Sequence, residues 1–430
     1  MKIACIGNMN NMFFQIGRYL IDEGHLVTFF LLEEFDHFLP QADTYEDISK
    51  YEIIKLGWNF DTFRGVTSQQ IKKIFSSFDY LMGTDLAPAY LFKAGLKLDV
   101  YFPHGSDLYQ YPFFRYKNNP PQLWEIPANI VSRAQFIGIK EADTVSLDMS
   151  DEVFETPYYK IRGKTQRRIT SPPFLYFKQY TDNYPALSTY YKQFSEIRSQ
   201  YKFIVFQQIS QDWSMRGEFK IDKGNNNLIN AFADYLNKNE KYKKDSLLIL
   251  MEYGIDVEKS KQLIVKLGIS NNVIWFKKMN RKDLMVAIYF SDICVGELGY
   301  RQWYSYSSII EFMAMKKPLI HHRGDAFYKN KGLDLYPMVD ADSAEKVADV
   351  FIDYRSNPKK YINMGADAHK WILADANKKV EFYKEILLKK KNTNQIVFPF
   401  LKKMKYYLNP QIIYNYLFLG MYQLKEMVRG

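Results

Sequence analysis

The sequence runs to 430 residues, 47% hydrophobic and 25% charged, which excludes a disordered chain and exceeds what one ordinary core sustains. Its two cysteines, Cys5 and Cys294, exclude a disulfide framework and a thiolate zinc site. A formal charge of +10 calls for an anionic partner, and aromatic residues at 17% are more than a core alone absorbs, so many belong at half-buried surfaces.

In chain order, "KIACIGN" reads as a short apolar strand, "MFFQIGRYLIDEG" as a helix closing at Gly24, and "HLVTFFLL" as a second strand. The opening "MKIACIGNMNNMFF" lacks the long apolar core of a secretion signal, and no apolar run is long enough to span a bilayer. A cytoplasmic protein is therefore expected. No G-x-G-x-x-G follows the first strand; the polar loop "GNMNN" either turns the chain or approaches a ligand. "FDYLMGT" and "LDVYFPHG" read as two further buried strands. This alternation predicts a parallel sheet with helices on both faces.

Residues 150–200 lose the rhythm. They are rich in Tyr, Pro and basic residues, and Pro172-Pro173 fits neither a helix nor a central strand. The alternation then resumes with strands "KFIVFQQI", "SLLILMEYG", "NVIWFKKM", "DICVGEL" and "PLIHHR", separated by helical segments such as "NNNLINAFADYLNK" and "RKDLMVAIYF". The expected plan is α/β: two Rossmann-like doubly wound domains, over 1–175 and 190–370, facing each other across a cleft. Ligands in such sheets bind at the carboxyl ends of the strands. A crossover helix and a basic aromatic tail make up 371–430. From Lys389 onward the tail carries eight lysines and arginines against one acid, Glu426, interleaved with Tyr, Phe and Leu. An anionic membrane surface is the expected partner of 389–430, with internal packing as the alternative. No nucleic-acid-binding module accompanies the charge, so nucleic acid is not expected.

One helix poses a question of its own. "SYSSIIEFMAMKKPLI", residues 305–320, opens with serines and carries a lone carboxylate, Glu311, ahead of an apolar face. Ser308-x-x-Glu311 has the spacing of a capping box, in which both side chains satisfy backbone donors at a helix start. The N-terminus of that helix, at Ser307 and Ser308, also suits a phosphate.

The surrounding residues resemble a known family. "WYSYSSIIEFMAMKKPLI" is similar to the "EGFGxxxLEAMAxGxPVI" segment of retaining GT-B glycosyltransferases of the family-four type (glycosyl transferases group 1), and "KGNNNLINAFA" to their "KGxxxLIeAF" segment. The connecting run "LGISNNVIWFKKMNRKDLMVAIYFSDICV" matches in type and order, so the likeness covers residues 206–320. The N-terminal half resembles the family's acceptor-side domain more loosely, through its opening strand–loop–helix and "YFPHGSDLYQYPF".

The resemblance implies a glycosyltransferase of hexosyltransferase type. It would move a sugar from a nucleotide-sugar donor to a glycan or lipid-linked glycan, in polysaccharide or lipopolysaccharide assembly at the cytoplasmic membrane face. The nucleotide-sugar is substrate; no cofactor and no metal are expected. Glu311 takes the place of the glutamate that holds the donor ribose, where an ionised carboxylate accepts two hydroxyl donors. The family carries a second glutamate eight residues earlier, contacting the donor sugar; Trp303 stands there in this sequence. Lys223, before Gly224, falls on the family's diphosphate lysine, and Arg216 on its companion arginine, each neutralising charge on the leaving nucleotide. Ser307, Ser308, Glu297, Trp303 and Asn280 complete the donor-binding set, with Arg301 and Gln302 in the sugar-selecting loop 296–304. His104 is placed at the cleft edge as the third residue of the catalytic set, though not as a general base. Gly7, Asn8 and Asp107 are the acceptor-side candidates. His104 and Asp107 have a plainer reading as a turn with Asp107 capping the residues after it, and His321 and His322 read as a turn after a strand. Alternatives to a transferase are a catalytically silent nucleotide-sugar-binding subunit and a nucleotide-sugar epimerase on the same fold, which would need a carboxylate pair the sequence does not display.

Overall fold

The structure, a computed structural model, describes residues 1–114, 125–147, 152–163, 168–214, 222–299, 306–330, 332, 334–389, 408, 410, 412–415 and 417. The chain forms two compact units. One comprises Met1–Pro40, Asp47–Pro173 and Lys378–Gly430; the other comprises Gln41–Glu46 and Phe174–Asn377.

The first unit is built on seven strands: β1 (Lys2–Ile6), β2 (Leu26–Leu31), β3 (Glu52–Lys55), β4 (Tyr80–Gly83), β5 (Val100–Tyr101), β6 (Thr144–Ser146) and β7 (Arg168–Ile169). Their order is β3-β2-β1-β4-β5-β6-β7, and every described pairing is parallel. β1 is central, with Ile3 opposite Val27 on one side and Tyr80 on the other. The strand order therefore reverses between β1 and β4. Helix Met12–Asp22 buries Phe13, Phe14, Ile16, Tyr19 and Leu20 and ends as expected before Gly24, whose φ of 82° suits a residue without Cβ. Each such buried side chain contributes about 1.5–3 kcal/mol.

The second unit carries six strands: β8 (Phe203–Gln207), β9 (Ser246–Met251), β10 (Val273–Phe276), β11 (Ile293–Val295), β12 (Leu319–His321) and β13 (Val339–Asp340). They run β10-β9-β8-β11-β12-β13, again parallel throughout, and the order reverses between β8 and β11. β8 and β9 are fully buried, which is why they read as unbroken apolar runs in the sequence. The expected pair of doubly wound sheets is thus present.

The short strands β3, β6, β7 and β13 go beyond the sequence expectation, since two to four residues offer too little pattern to read. His321 is the last residue of β12 rather than part of a following turn. The crossover helix expected within 371–430 begins earlier, at Pro358, and runs to Lys389. Beyond Lys378 it belongs to the first unit, where the Tyr383 hydroxyl donates to the Thr170 carbonyl at 2.8 Å and its ring stacks on Phe102. No described helix is long and apolar enough to cross a membrane.

Candidate functional site

The carboxyl edge of β8 and β11 gathers the chemistry of the second unit. β8 ends at the buried Gln207, and the chain continues through the buried Gln208, Ser210 and Gln211 to the half-buried Asp212. After β11 it passes through Gly296, Glu297, Leu298 and Gly299. The two loops are drawn together because Leu298 N–H donates to the Lys223 carbonyl at 3.0 Å and Lys223 N–H to the Asp212 carbonyl at 2.8 Å. A Cβ on Gly299 would lie 1.9 Å from the Asp222 carbonyl oxygen, so only glycine permits this approach. Gly224, at φ 68°, turns the chain into helix Asn225–Asn237.

This packing brings Lys223 and Glu297 together, with Nζ 3.5 Å from the carboxylate. The lysine keeps 22% of its side chain exposed, so the pair is open to a ligand. Asn280, exposed, precedes helix Arg281–Phe290 without a side-chain cap; its carbonyl accepts from Asp283 and Leu284 N–H.

Glu311 lies elsewhere in its helix than a capping box requires. The helix starts at Tyr306, so Ser308 is its third residue and cannot be the cap. The Glu311 carboxylate instead accepts from Arg281 Nε at 2.7 Å and from Gln208 Nε2, while Arg281 Nη1 donates to Asp43 at 2.6 Å. Burial raises the Glu311 pKa, with Arg281 and Gln208 opposing it. For Arg281, burial works downward and the charges of Asp43 and Glu311 more than offset it, so the guanidinium stays charged. Among the described residues, these two donors take two of the roughly four lone-pair directions of the Glu311 carboxylate.

Tyr253 ties the two halves of this edge together. Its hydroxyl donates to the Gln208 carbonyl at 2.9 Å, and its pKa is raised first by burial and then by the charges of Glu311, Asp212 and Glu297. The structure thus gathers Lys223, Glu297 and Glu311 around the β8–β11 reversal, where a doubly wound sheet binds its ligand. Ser308 is buried in the same helix, and Ser307 occupies its first turn. Arg216, Arg301, Gln302, Trp303 and the side chain of Ser307 lie outside the described residues. Below the loop, His321 is buried and its pKa falls to about 3, chiefly through burial, so the imidazole is neutral. Among the described residues no group of three or more His, Cys, Asp or Glu could hold a metal ion.

Arg281, Asp43, Gln208 and Tyr253 escape a sequence reading. Arg281 looks like a solvated residue at a helix start, and Asp43 lies 238 positions away in the chain. The neighbouring Asn280 marks the right place but not the right side chain.

In the first unit, Gly7 has φ 91° and lies so close to β4 that a Cβ would stand 2.5 Å from Thr84 Cγ2. Asn8 is buried beside it. Asp107 does not cap the residues after it; its carboxylate accepts from the preceding His104 and Gly105 N–H at 2.9 and 2.8 Å and from the Tyr101 hydroxyl at 2.9 Å. It therefore positions the "FPHGSD" turn. Burial depresses the His104 pKa to about 4, which keeps the ring neutral.

No protein-family profile matches the sequence, and no curated protein matches it. Solved structures do resemble it. HepE of Anabaena, in complex with UDP and glucose, is 14% identical, with a TM-score of 0.55 over 91% of this chain and 100% of its own. WaaG, a glycosyltransferase involved in lipopolysaccharide biosynthesis, is 16% identical, with a TM-score of 0.52 over 91% and 100%. Sucrose-phosphate synthase of Thermosynechococcus elongatus is 13% identical, with a TM-score of 0.56 over the same shares. At these identities the likeness speaks for architecture: the chain has the fold of the GT-B glycosyltransferases, two Rossmann-like domains in succession.

Proposed function

We propose that this protein is a glycosyltransferase that moves a sugar from a nucleotide-sugar donor to a glycan or lipid-linked glycan acceptor. The observation that carries the reading is the convergence of Lys223, Glu297 and Glu311 at the strand-order reversal of the second unit. HepE, crystallised with UDP-glucose and similar in fold, supports a UDP-sugar as the first donor to try.

In this reading Glu311, held by Arg281 and Gln208, accepts the two ribose hydroxyls. Lys223 stabilises the charge that develops on the departing diphosphate, assisted by Arg216, and the helix N-terminus at Ser307 and Ser308 receives a phosphate. Glu297 releases Lys223 to the diphosphate and is left to meet the sugar hydroxyls, with Asn280 and Trp303 completing the donor site. His104 contributes by shape as a neutral ring. These cations serve the leaving group without a metal. Retention of configuration, a hexosyl donor and a place in cell-surface polysaccharide assembly follow from the family resemblance. A cytoplasmic location, peripheral on an anionic membrane through 389–430, follows from the basic aromatic tail.

Calorimetric titration of UDP, GDP and ADP into the wild type and Glu311→Gln tests the donor site. One nucleotide should saturate, and the substitution should weaken it at least tenfold, about 1.4 kcal/mol. A wild type that binds none of the three overturns the reading. Trp303, at the place of the family's first glutamate, favours a second reading as a silent nucleotide-sugar binder. That protein would bind the nucleotide yet release none from a sugar donor.

A further inference from the structure

The first unit contains a pocket of about 320 Å3 over the carboxyl ends of β1, β2 and β4, at its own strand-order reversal. Its aromatic wall includes Trp58, Phe60 and Tyr111. Trp58 stacks on Tyr90 with ring centroids 4.6 Å apart, and Phe60 meets Tyr111 edge to face at 4.8 Å, so the wall is braced. A concave site of this size, mostly aromatic with a few polar groups, suits one small ring.

The polar groups are one-sided. Asn8 is 8% exposed, and its amide nitrogen donates to Asn11 Oδ1 at 2.6 Å and to the Phe38 carbonyl. Those two acceptors fix the amide's orientation and leave Asn8 Oδ1 buried with no partner among the described residues. A buried carbonyl oxygen without a donor is unfavourable until a ligand supplies one. Glu33 and Asp85 add carboxylates to the same pocket. Asp85 adopts a left-handed backbone, φ 51°, and Gln135 Nε2 fixes that turn by donating to its carbonyl at 2.7 Å. Tyr111 and His37 can donate or accept, and no lysine or arginine is among the described residues of the lining.

We propose that this pocket is the acceptor subsite, and that it selects a hydroxyl-bearing pyranose ring that is neutral or carries an ammonium, while rejecting anionic sugars. The inference rests on the transferase reading for the word acceptor, but not for the binding itself. Ring hydroxyls satisfy Asn8 Oδ1, Glu33 and Asp85, and the ring's apolar face lies on the aromatic wall. A uronic acid or phosphosugar would bring a negative charge against the Glu33 carboxylate with no countercharge among the described lining residues, and would leave Asn8 unpaired if its anionic edge faced inward. Asp85, pushed up to about 8 by burial and then by the charges of Asp107 and Glu33, could also donate a proton in a hydrogen bond.

The experiment is saturation-transfer NMR on the intact protein with methyl glycosides of glucose, galactose and mannose, of glucosamine, and of glucuronic and galacturonic acid. At least one neutral or amino glycoside should bind saturably, and the uronides at least tenfold more weakly. Phe60→Ala should weaken the bound glycoside at least fivefold. Glu33→Gln should narrow the gap between neutral and anionic rings, which lost folding would not do. Uronides binding as well as the neutral rings, no glycoside binding, or binding indifferent to Phe60→Ala each overturns the proposal. Nucleotide binding, measured separately on the same proteins, keeps the two readings apart: its failure with sugars bound sinks the transferase reading alone.

Discussion

The two strand-order reversals of this chain solve opposite problems. In the second unit the charged groups are paired before any ligand arrives, although the Gln208 amide oxygen beside them is buried without a partner among the described residues: Arg281 lies between Asp43 and Glu311, and Lys223 faces Glu297. In the first unit the pocket is left wanting, with Asn8 Oδ1 unpaired and Asp85 carrying a raised pKa. Matched charges preorganise a site for a charged ligand that exchanges one ion pair for another. Unmatched acceptors suit a ligand that brings only donors.

The comparison breaks most readily at Arg281. Arg281→Ala leaves two buried carboxylates without their cation, and should destabilise the protein by about 3–5 kcal/mol in urea titration. Arg281→Met combined with Asp43→Leu and Glu311→Leu should recover most of that loss while abolishing nucleotide binding. A mild effect of the single substitution would show that the matching is not structural.

Lys223→Ala should leave stability nearly unchanged, because its partner Glu297 is still reached by water, yet lower the transfer rate by about 100-fold, as expected for removing one group aimed at developing charge. A comparable fall in stability would place Lys223 among the structural pairs instead. In the first unit, Gly7→Ala should cost about 1–3 kcal/mol, since φ 91° and the 2.5 Å approach to Thr84 both oppose a side chain. Thermal melting measures it.

The smallest effect is a pH dependence. The Asp85 carboxyl is raised from its usual range to about 8, so the folded protein holds a proton that the unfolded chain has lost. Stability attributable to this group is complete below pH 4 and declines as pH rises towards 8. Asp85→Asn should therefore gain on the wild type between pH 5 and 8, by at least about 2–4 °C in Tm, the shift that 1 kcal/mol produces in a domain of this size. A constant difference across that range would show Asp85 to be ionised in the wild type.

The same contrast explains how far the sequence can be read. The second unit is legible because its strands are unbroken apolar runs and its donor candidates, Lys223, Glu297 and Glu311, sit in or beside one contiguous resemblance from 206 to 320. Their partners are not: Asp43 is far off in the chain, and Arg281 hides at an ordinary helix start. The pocket of the first unit draws Asn8, Glu33, Trp58, Asp85 and Tyr111 from five separate stretches, so no motif announces it. Asn8 is the one lining residue of that pocket named as a site candidate from the sequence, because it sits in the polar loop just after the first strand. The capping-box spacing at Ser308 and Glu311 fails for a plain reason: the spacing is right, but the helix begins three residues too early.

One small feature reaches further than its size. The six residues Gln41–Glu46 are folded into the second unit, where Tyr45 donates to Asp283 at 2.7 Å and Gln179 Nε2 donates to the Asp43 carbonyl. The second unit is therefore not contiguous in sequence, and an expression fragment cut at Phe174–Asn377 lacks Asp43, one of the two carboxylates paired with Arg281. Such a fragment should aggregate or unfold early, and a synthetic peptide spanning 40–47 added in trans should rescue it. Any scheme for exchanging or circularly permuting these domains has to carry that hexapeptide along.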